Sequence, residues 1–229
     1  MNNWNSKMDL TNKKFATKLL IDYFYDFCGK CIVLMTGITC GDVLELKKQG
    51  KIDLSTKFIV IDNLQSKDYK GMKTGKRELS FIKIVKEKIF DIMGGEVYIE
   101  FIFRDIRNTP LNIYFPINIY DLIYADTCCT YTGSDWCTNQ SFLESLKTGA
   151  YFAYTVLLTR NKIEGNEEDP ISNPNWISLG KDYELNHRKM NVIANDIEKN
   201  SNGVLVSKSL IYYYNNIQSP MGICLFQKK

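Results

Sequence analysis

Short β-rich runs that alternate with helical stretches constrain this chain more than any other feature. Residues 31–35, 57–61, 96–103, 120–125 and 150–158 each read as a strand, and the second, third and fourth close on an acidic or basic residue. The run at 31–35 is wholly apolar, as expected of a strand covered on both faces. Helix and strand alternate five times, which implies a mostly parallel sheet with helices on both faces. A further helix, 184–199, precedes two β-rich runs, 204–214 and 222–226, joined by a polar turn containing Ser219-Pro220, which signals a hairpin. The expected α/β architecture is a seven-stranded, mostly parallel sheet closed by a C-terminal antiparallel hairpin strand. The whole of 1–229 reads as one domain.

The helices are placed by periodicity. Thr11 caps a helix expected over 11–28, with Phe15, Leu19, Tyr23 and Phe27 as its stripe. Residues 80–93 carry Phe81, Ile84, Val85, Ile89 and Ile92 on one side, and 138–147 carry Phe142, Leu143 and Leu146. In the last helix Met190, Ile193 and Ile197 face inward. Residues 160–184, with two proline dipeptides and an acidic patch, read as a surface insertion.

Composition narrows the class. With 229 residues and 45% apolar content, one sizeable core is within reach. A net charge of +3 is too weak to argue for nucleic acid by itself. No apolar run reaches the ~20 residues that span a bilayer, and residues 1–9 lack the apolar segment of a signal peptide. Seven cysteines, an odd number, fit reduced thiols and a cytoplasmic location. The abundance of Asn, Lys and Ile suggests an AT-rich genome, viral or plasmid-borne, and hence a host cytoplasm if viral. Cys28-x-x-Cys31 has metal-like spacing, but the lone histidine, His187, is remote in sequence, so buried inert thiols are expected and no metal site.

Three strand ends carry chemistry. After the first strand comes Thr36-Gly37-Ile38-Thr39-Cys40-Gly41-Asp42; Asp62 closes the second strand and Asp105-Ile106 follows the third. In this order the chain resembles the class I S-adenosylmethionine (SAM)-dependent methyltransferases, whose fold is Rossmann-like. The resemblance spans nearly the whole length but rests on order and strand ends. It implies SAM as cofactor, with Gly37, Thr39 and Gly41 beside its methionine part, Asp62 on its ribose, Asp105 and Ile106 at its adenine, and Asp126 at the transferred group. Thr39 stands where the middle glycine is usual, and Met35 where an acidic residue usually precedes the loop.

The fourth strand end reads Asp126-Thr127-Cys128-Cys129-Thr130-Tyr131-Thr132-Gly133. Asp126, Cys129, Thr130 and Gly133 match the RNA cytosine-5 methyltransferase pattern, which makes Cys129 a candidate nucleophile. Cys128 replaces that pattern's proline, and 155–160 lacks its second cysteine. The ribose 2′-O-methyltransferase set would instead pair Asp126 with Lys14 or Lys18. Acceptor contacts are expected from Thr127 and Tyr131, from Trp176 as a stacking surface, and from Lys70 and Lys73 within the basic stretch 67–88. Two functions follow: a SAM-dependent methyltransferase acting on nucleic acid, or an inactive protein of the same fold serving a protein partner as a binding or regulatory subunit.

Overall fold

The computed structural model describes residues 7–24, 27–64, 74–109, 117–158, 176–178, 183–214 and 220–229. In chain order the elements are α1 (Lys7–Asp22), β1 (Cys31–Leu34), α2 (Gly41–Lys48), β2 (Lys57–Ile61), α3 (Thr74–Met93) and β3 (Ile99–Ile102). After a short 3-10 turn (Ile106–Asn108) come β4 (Tyr120–Thr130), α4 (Asp135–Thr138), α5 (Gln140–Ser145) and β5 (Leu146–Leu157). The chain closes with β6 (Trp176–Ser178), α6 (Tyr183–Asn200), β7 (Leu205–Tyr214) and β8 (Pro220–Lys228).

Every described strand joins one sheet, in the order β3-β2-β1-β4-β5-β8-β7-β6. All neighbours run parallel except β8, which is antiparallel to both β5 and β7. The seven expected strands and the closing hairpin are therefore present. The eighth, β6, is a three-residue addition at the β7 edge, inside the stretch 160–184 expected to be a surface insertion. The rest of 160–182 lies outside the described residues.

Strand alternation splits the core into two layers. Leu34, Phe58, Val60, Leu122 and Tyr124 pack on one face with Leu20 of α1, Phe24 just after it, Leu46 of α2, and Phe81 and Val85 of α3. Val33, Ile59, Ile61, Ile123 and Ala125 pack on the other with Cys137 of α4, Phe142 of α5, and Met190, Ile193 and Ile197 of α6. Gly222 sets the approach of α6 to β8, because a Cβ there would stand 2.7 Å from the Met190 sulfur.

Several boundaries depart from the sequence reading. Among the described residues α1 is Lys7–Asp22 rather than 11–28, so Thr11 lies within it and Phe15 is 48% exposed. Its buried side chains are Ala16, Thr17, Leu20 and Ile21, followed by Phe24. In α3, Met93 is buried and Ile84 faces solvent. The helix expected over 138–147 is split in two, and β5 starts at Leu146, because Asn139 is extended and caps a fresh helix, its side chain accepting from Phe142 N–H.

Candidate functional site

β1 runs parallel to both β2 and β4, so their carboxyl ends lie along one edge of the sheet, the mouth, and the loop after β1 leaves from that edge. Gly37, Ile38 and Thr39 are exposed while Cys40 is buried beneath them. Cys40 takes a left-handed backbone, φ 48°, and burial pushes its thiol up to about 12. Gly37 and Gly41 do not have positive φ, and a Cβ on either would meet nothing within 4 Å. Neither backbone strain nor internal packing therefore requires glycine at these positions. An incoming group pressed against the loop would.

Asp42 is the second residue of α2, directly after this loop in the chain. Its carboxylate accepts from the Thr36 hydroxyl at 2.5 Å and from Val43 N–H at 2.9 Å. Burial raises its pKa, opposed by those two bonds and by Lys13, and reinforced by Asp126. Those last two influences place Lys13, Asp42 and Asp126 in one electrostatic cluster. Strand alternation explains it: Leu122, Tyr124 and Asp126 share the face toward α1, and Lys13 on α1 forms an ion pair with Asp126. Asp126 is only 10% exposed, and Lys13 39%. Tyr124, buried below them, has its phenol pushed up by burial first and then by Asp126.

Immediately beyond Asp126 the ladder breaks. Asp126 pairs with Thr155, and the next pair is Cys129 with Val156, so Thr127 and Cys128 form a bulge. Such bulges re-aim a strand end and recur beside active sites. The Thr127 hydroxyl donates to Thr155 C=O at 3.0 Å. Cys129 is carried on β4 just past this bulge. Tyr131 donates its hydroxyl to Asp196 of α6 and packs on Tyr154, ring centres 6.3 Å apart, so its ring serves the second core layer.

Asp62 ends β2 half-buried. Leu64, in a left-handed conformation with φ 51°, donates its N–H to the Asp62 carboxylate at 2.6 Å. Burial raises the Asp62 pKa. Asp105 instead takes three bonds from the Arg107 guanidinium, at 2.5–3.2 Å, and one from Arg107 N–H. Those bonds lower its pKa. Ile106 is buried, 2% exposed, in the second core layer rather than lying open on the mouth.

Parallel pairing thus sets Gly37, Thr39, Gly41, Asp62 and Asp126 along one edge of the sheet. The structure adds Lys13, Asp42 and Tyr124, which the sequence reading missed, and it pairs Lys13, not the exposed Lys14 or Lys18, with Asp126. Lys70 and Lys73 lie outside the described residues, and Trp176 is placed only as the first residue of β6. Among the described residues no group of three His, Cys, Asp or Glu side chains is arranged to hold a metal ion, and no helix is long and apolar enough to cross a membrane. Burial pushes the Cys31 thiol up to about 11, while Cys28 is exposed.

No family model and no curated protein matches the sequence. Solved structures do match it. An S-adenosylmethionine-dependent methyltransferase structure from Listeria monocytogenes aligns at TM-score 0.53 and 11% identity, over 96% of this chain and 99% of that one. Geranyl diphosphate methyltransferase in complex with SAM aligns at TM-score 0.53 and 8% identity, over 94% and 85% of the two chains. TrmN from Thermus thermophilus aligns at TM-score 0.48 and 13% identity over 94% of this chain, which spans 48% of that protein. With this strand order, this hairpin and the two neighbours aligned at TM-score 0.53, the chain has the Rossmann-like fold of the class I SAM-dependent methyltransferases.

Proposed function

We propose that the protein is a SAM-dependent methyltransferase whose acceptor is a nucleic acid. The observation that carries this reading is the glycine loop. Neither backbone strain nor packing requires glycine at Gly37 or Gly41, and three carboxylates stand on the same edge of the sheet: Asp42 in the first turn of α2, Asp62 after β2 and Asp126 in β4. Folding alone gains nothing from holding Asp42 and Asp62 where burial raises their pKa values.

The residues present fit the cofactor. Gly37, Thr39 and Gly41 would lie along its methionine part, and Asp62 has a carboxylate suited to a ribose diol. Asp105 would meet the adenine only by exchanging part of its Arg107 contact for the ring's amino group, and Ile106, buried in the second core layer, is not carried forward as a contact. SAM supplies an electrophilic methyl group on sulfonium sulfur. Asp126 would then orient the acceptor's nucleophilic atom and take up its proton, with Lys13 balancing the charge. The Thr127–Cys128 bulge re-aims the end of β4, and Thr127, Cys129 and Tyr131 are proposed as acceptor contacts, Tyr131 only if its ring leaves Asp196 and Tyr154. Exposed Lys76, Lys83, Lys86 and Lys88 on α3, with Lys70 and Lys73 before it, would take phosphates, and Trp176 a base.

The fold also serves a second reading, an inactive binding or regulatory subunit with a protein partner. Asp105 favours it, since Arg107 holds both of its oxygens. Calorimetric titration with SAM and S-adenosylhomocysteine tests the cofactor claim. The wild type should bind both, and Asp62→Ala should weaken binding tenfold or more by removing charge-assisted hydrogen bonds of about 1.5–3 kcal/mol each. No heat at millimolar SAM would refute it. Transfer of labelled methyl from SAM to RNA or DNA then separates the enzyme from the inactive subunit.

A further inference from the structure

A cleft of about 670 Å³ lies at the opposite end of the strands from Asp126. Its aromatic wall is Tyr23, Phe27 and Tyr151, and its polar wall includes Lys147, Lys208 and Gln227. Two breaks in the sheet shape it. Between the pairs Tyr120–Leu146 and Leu122–Tyr151, four residues, 147–150, stand against Asp121 alone. Between Ser207–Phe226 and Ser209–Leu225, Lys208 is the extra residue of a bulge in β7. Each break gives up ladder pairing and aims a lysine into the same cleft. Asp121 anchors the first: its carboxylate accepts from Lys147 Nζ at 2.6 Å and from the N–H groups of Lys30 and Cys31 at 2.8 Å. On the floor, Gln227 donates its amide nitrogen to Gly149 C=O at 3.0 Å, leaving its carbonyl oxygen as an acceptor.

We propose that this cleft is a second binding site, for a nucleoside phosphate, separate from the mouth that would hold SAM. Its volume suits a mononucleotide. The aromatic wall gives a planar ring a stacking surface. Lys208 gives a phosphate a cation, Lys147 adds N–H donors while its charge is shared with Asp121, and the Gln227 amide offers a ring edge both a donor and an acceptor. A ligand combining a flat heterocycle with an anionic tail matches both walls; a simple anion uses one only. Binding here would place a nucleotide against the starts of β4 and β5, the strands whose far ends carry Asp126 and Thr155.

The test is calorimetric titration of the full chain with GTP, GMP and tripolyphosphate, each with and without saturating S-adenosylhomocysteine. GTP should bind in both conditions, and tripolyphosphate at least tenfold more weakly. Lys208→Glu should weaken GTP at least tenfold and Lys208→Ala at least threefold, with melting temperature and S-adenosylhomocysteine binding unchanged. Lys208 is exposed on a bulge, so both variants should fold. The proposal is overturned if GTP does not bind at millimolar concentration, or if S-adenosylhomocysteine displaces it. It is equally overturned if Lys208→Glu leaves GTP binding unaltered, or if tripolyphosphate binds as tightly as GTP. Failure of the SAM reading would show separately, as absent heat with S-adenosylhomocysteine.

Discussion

Replacing Lys13 with Met keeps the hydrophobic stem and removes the ammonium that faces Asp126. The change leaves a carboxylate 10% exposed without its counter-charge, beside a second carboxylate at Asp42. Losing a hydrogen bond to a charged group costs about 1.5–3 kcal/mol. Lys13 is 39% exposed, so water screens the pair and about 1–2 kcal/mol is expected. In a domain of this size about 1 kcal/mol moves the melting temperature by about 2–4 °C, so Lys13→Met should lower it by about 2–8 °C. Asp126→Asn removes the charge that Lys13 balances, and the two substitutions should therefore couple. Thermal and urea unfolding of wild type, both single variants and the double variant give a complete cycle. A coupling of about 1 kcal/mol is expected. Additivity within about 0.5 kcal/mol would refute the pair and, with it, the placement of α1 over the mouth.

Three further perturbations address the same mouth. Gly37→Ala should leave stability unchanged or raise it by up to about 1 kcal/mol, since its Cβ meets nothing and its φ is not left-handed, yet it should weaken SAM binding; unaltered SAM affinity would count against the cradle. Because burial raises the Asp42 pKa, the folded protein holds that proton more tightly than the unfolded chain, and stability falls as pH rises through the interval between the two values. Asp42→Asn should therefore raise the melting temperature at about pH 7 and leave it unmoved at about pH 3, where both forms are neutral; a lower melting temperature at about pH 7 would contradict this. Charge reversal at Lys76, Lys83 and Lys86 together should weaken RNA or DNA binding and flatten its salt dependence, and an unchanged salt slope would remove α3 from the acceptor surface.

The sequence was most legible where burial is two-sided or periodicity long. β2 occupies residues 57–61 as expected, and Met190, Ile193 and Ile197 of α6 are all buried. It was less legible where one turn of helix decides a face. Anchoring α1 on its aromatics placed Lys13 away from the sheet, whereas the buried stripe runs through Ala16, Thr17, Leu20 and Phe24, and Lys13 continues it toward the mouth. The small Ala16 and the polar Thr17 hid that stripe. Asp62 and Asp126 stand out in the sequence because each directly follows an apolar run, although β4 itself continues past Asp126 to Thr130. Asp42 follows a glycine turn and reads as an ordinary helix start. The Thr127–Cys128 bulge has no local signature, because it is created by register against Thr155 and Val156, residues nearly thirty positions away.

The two functions still in competition make different demands on the same carboxylates. A binding subunit needs the sheet, its two core layers and an exterior; it does not need half-buried charge at the mouth. Asp42 is held against a desolvation cost and sits close enough to Asp126 to feel its charge, with Lys13 between them as the compensating cation. Burial raises Asp62 as well, and its described partner is a backbone N–H two residues on. Two such positions, one in the first turn of α2 and one just after β2, are difficult to retain unless a ligand repays them, because substitutions that relieve the buried charge would stabilise the fold. That argument reaches SAM binding but stops short of transfer, since a subunit that uses SAM only as a structural ligand would keep Asp62 and the loop equally. Transfer adds one requirement, an acceptor group brought to Asp126. Lys13→Met separates the cases: an enzyme should lose methyl transfer more steeply than SAM affinity, and a SAM-binding scaffold should lose neither beyond its change in stability.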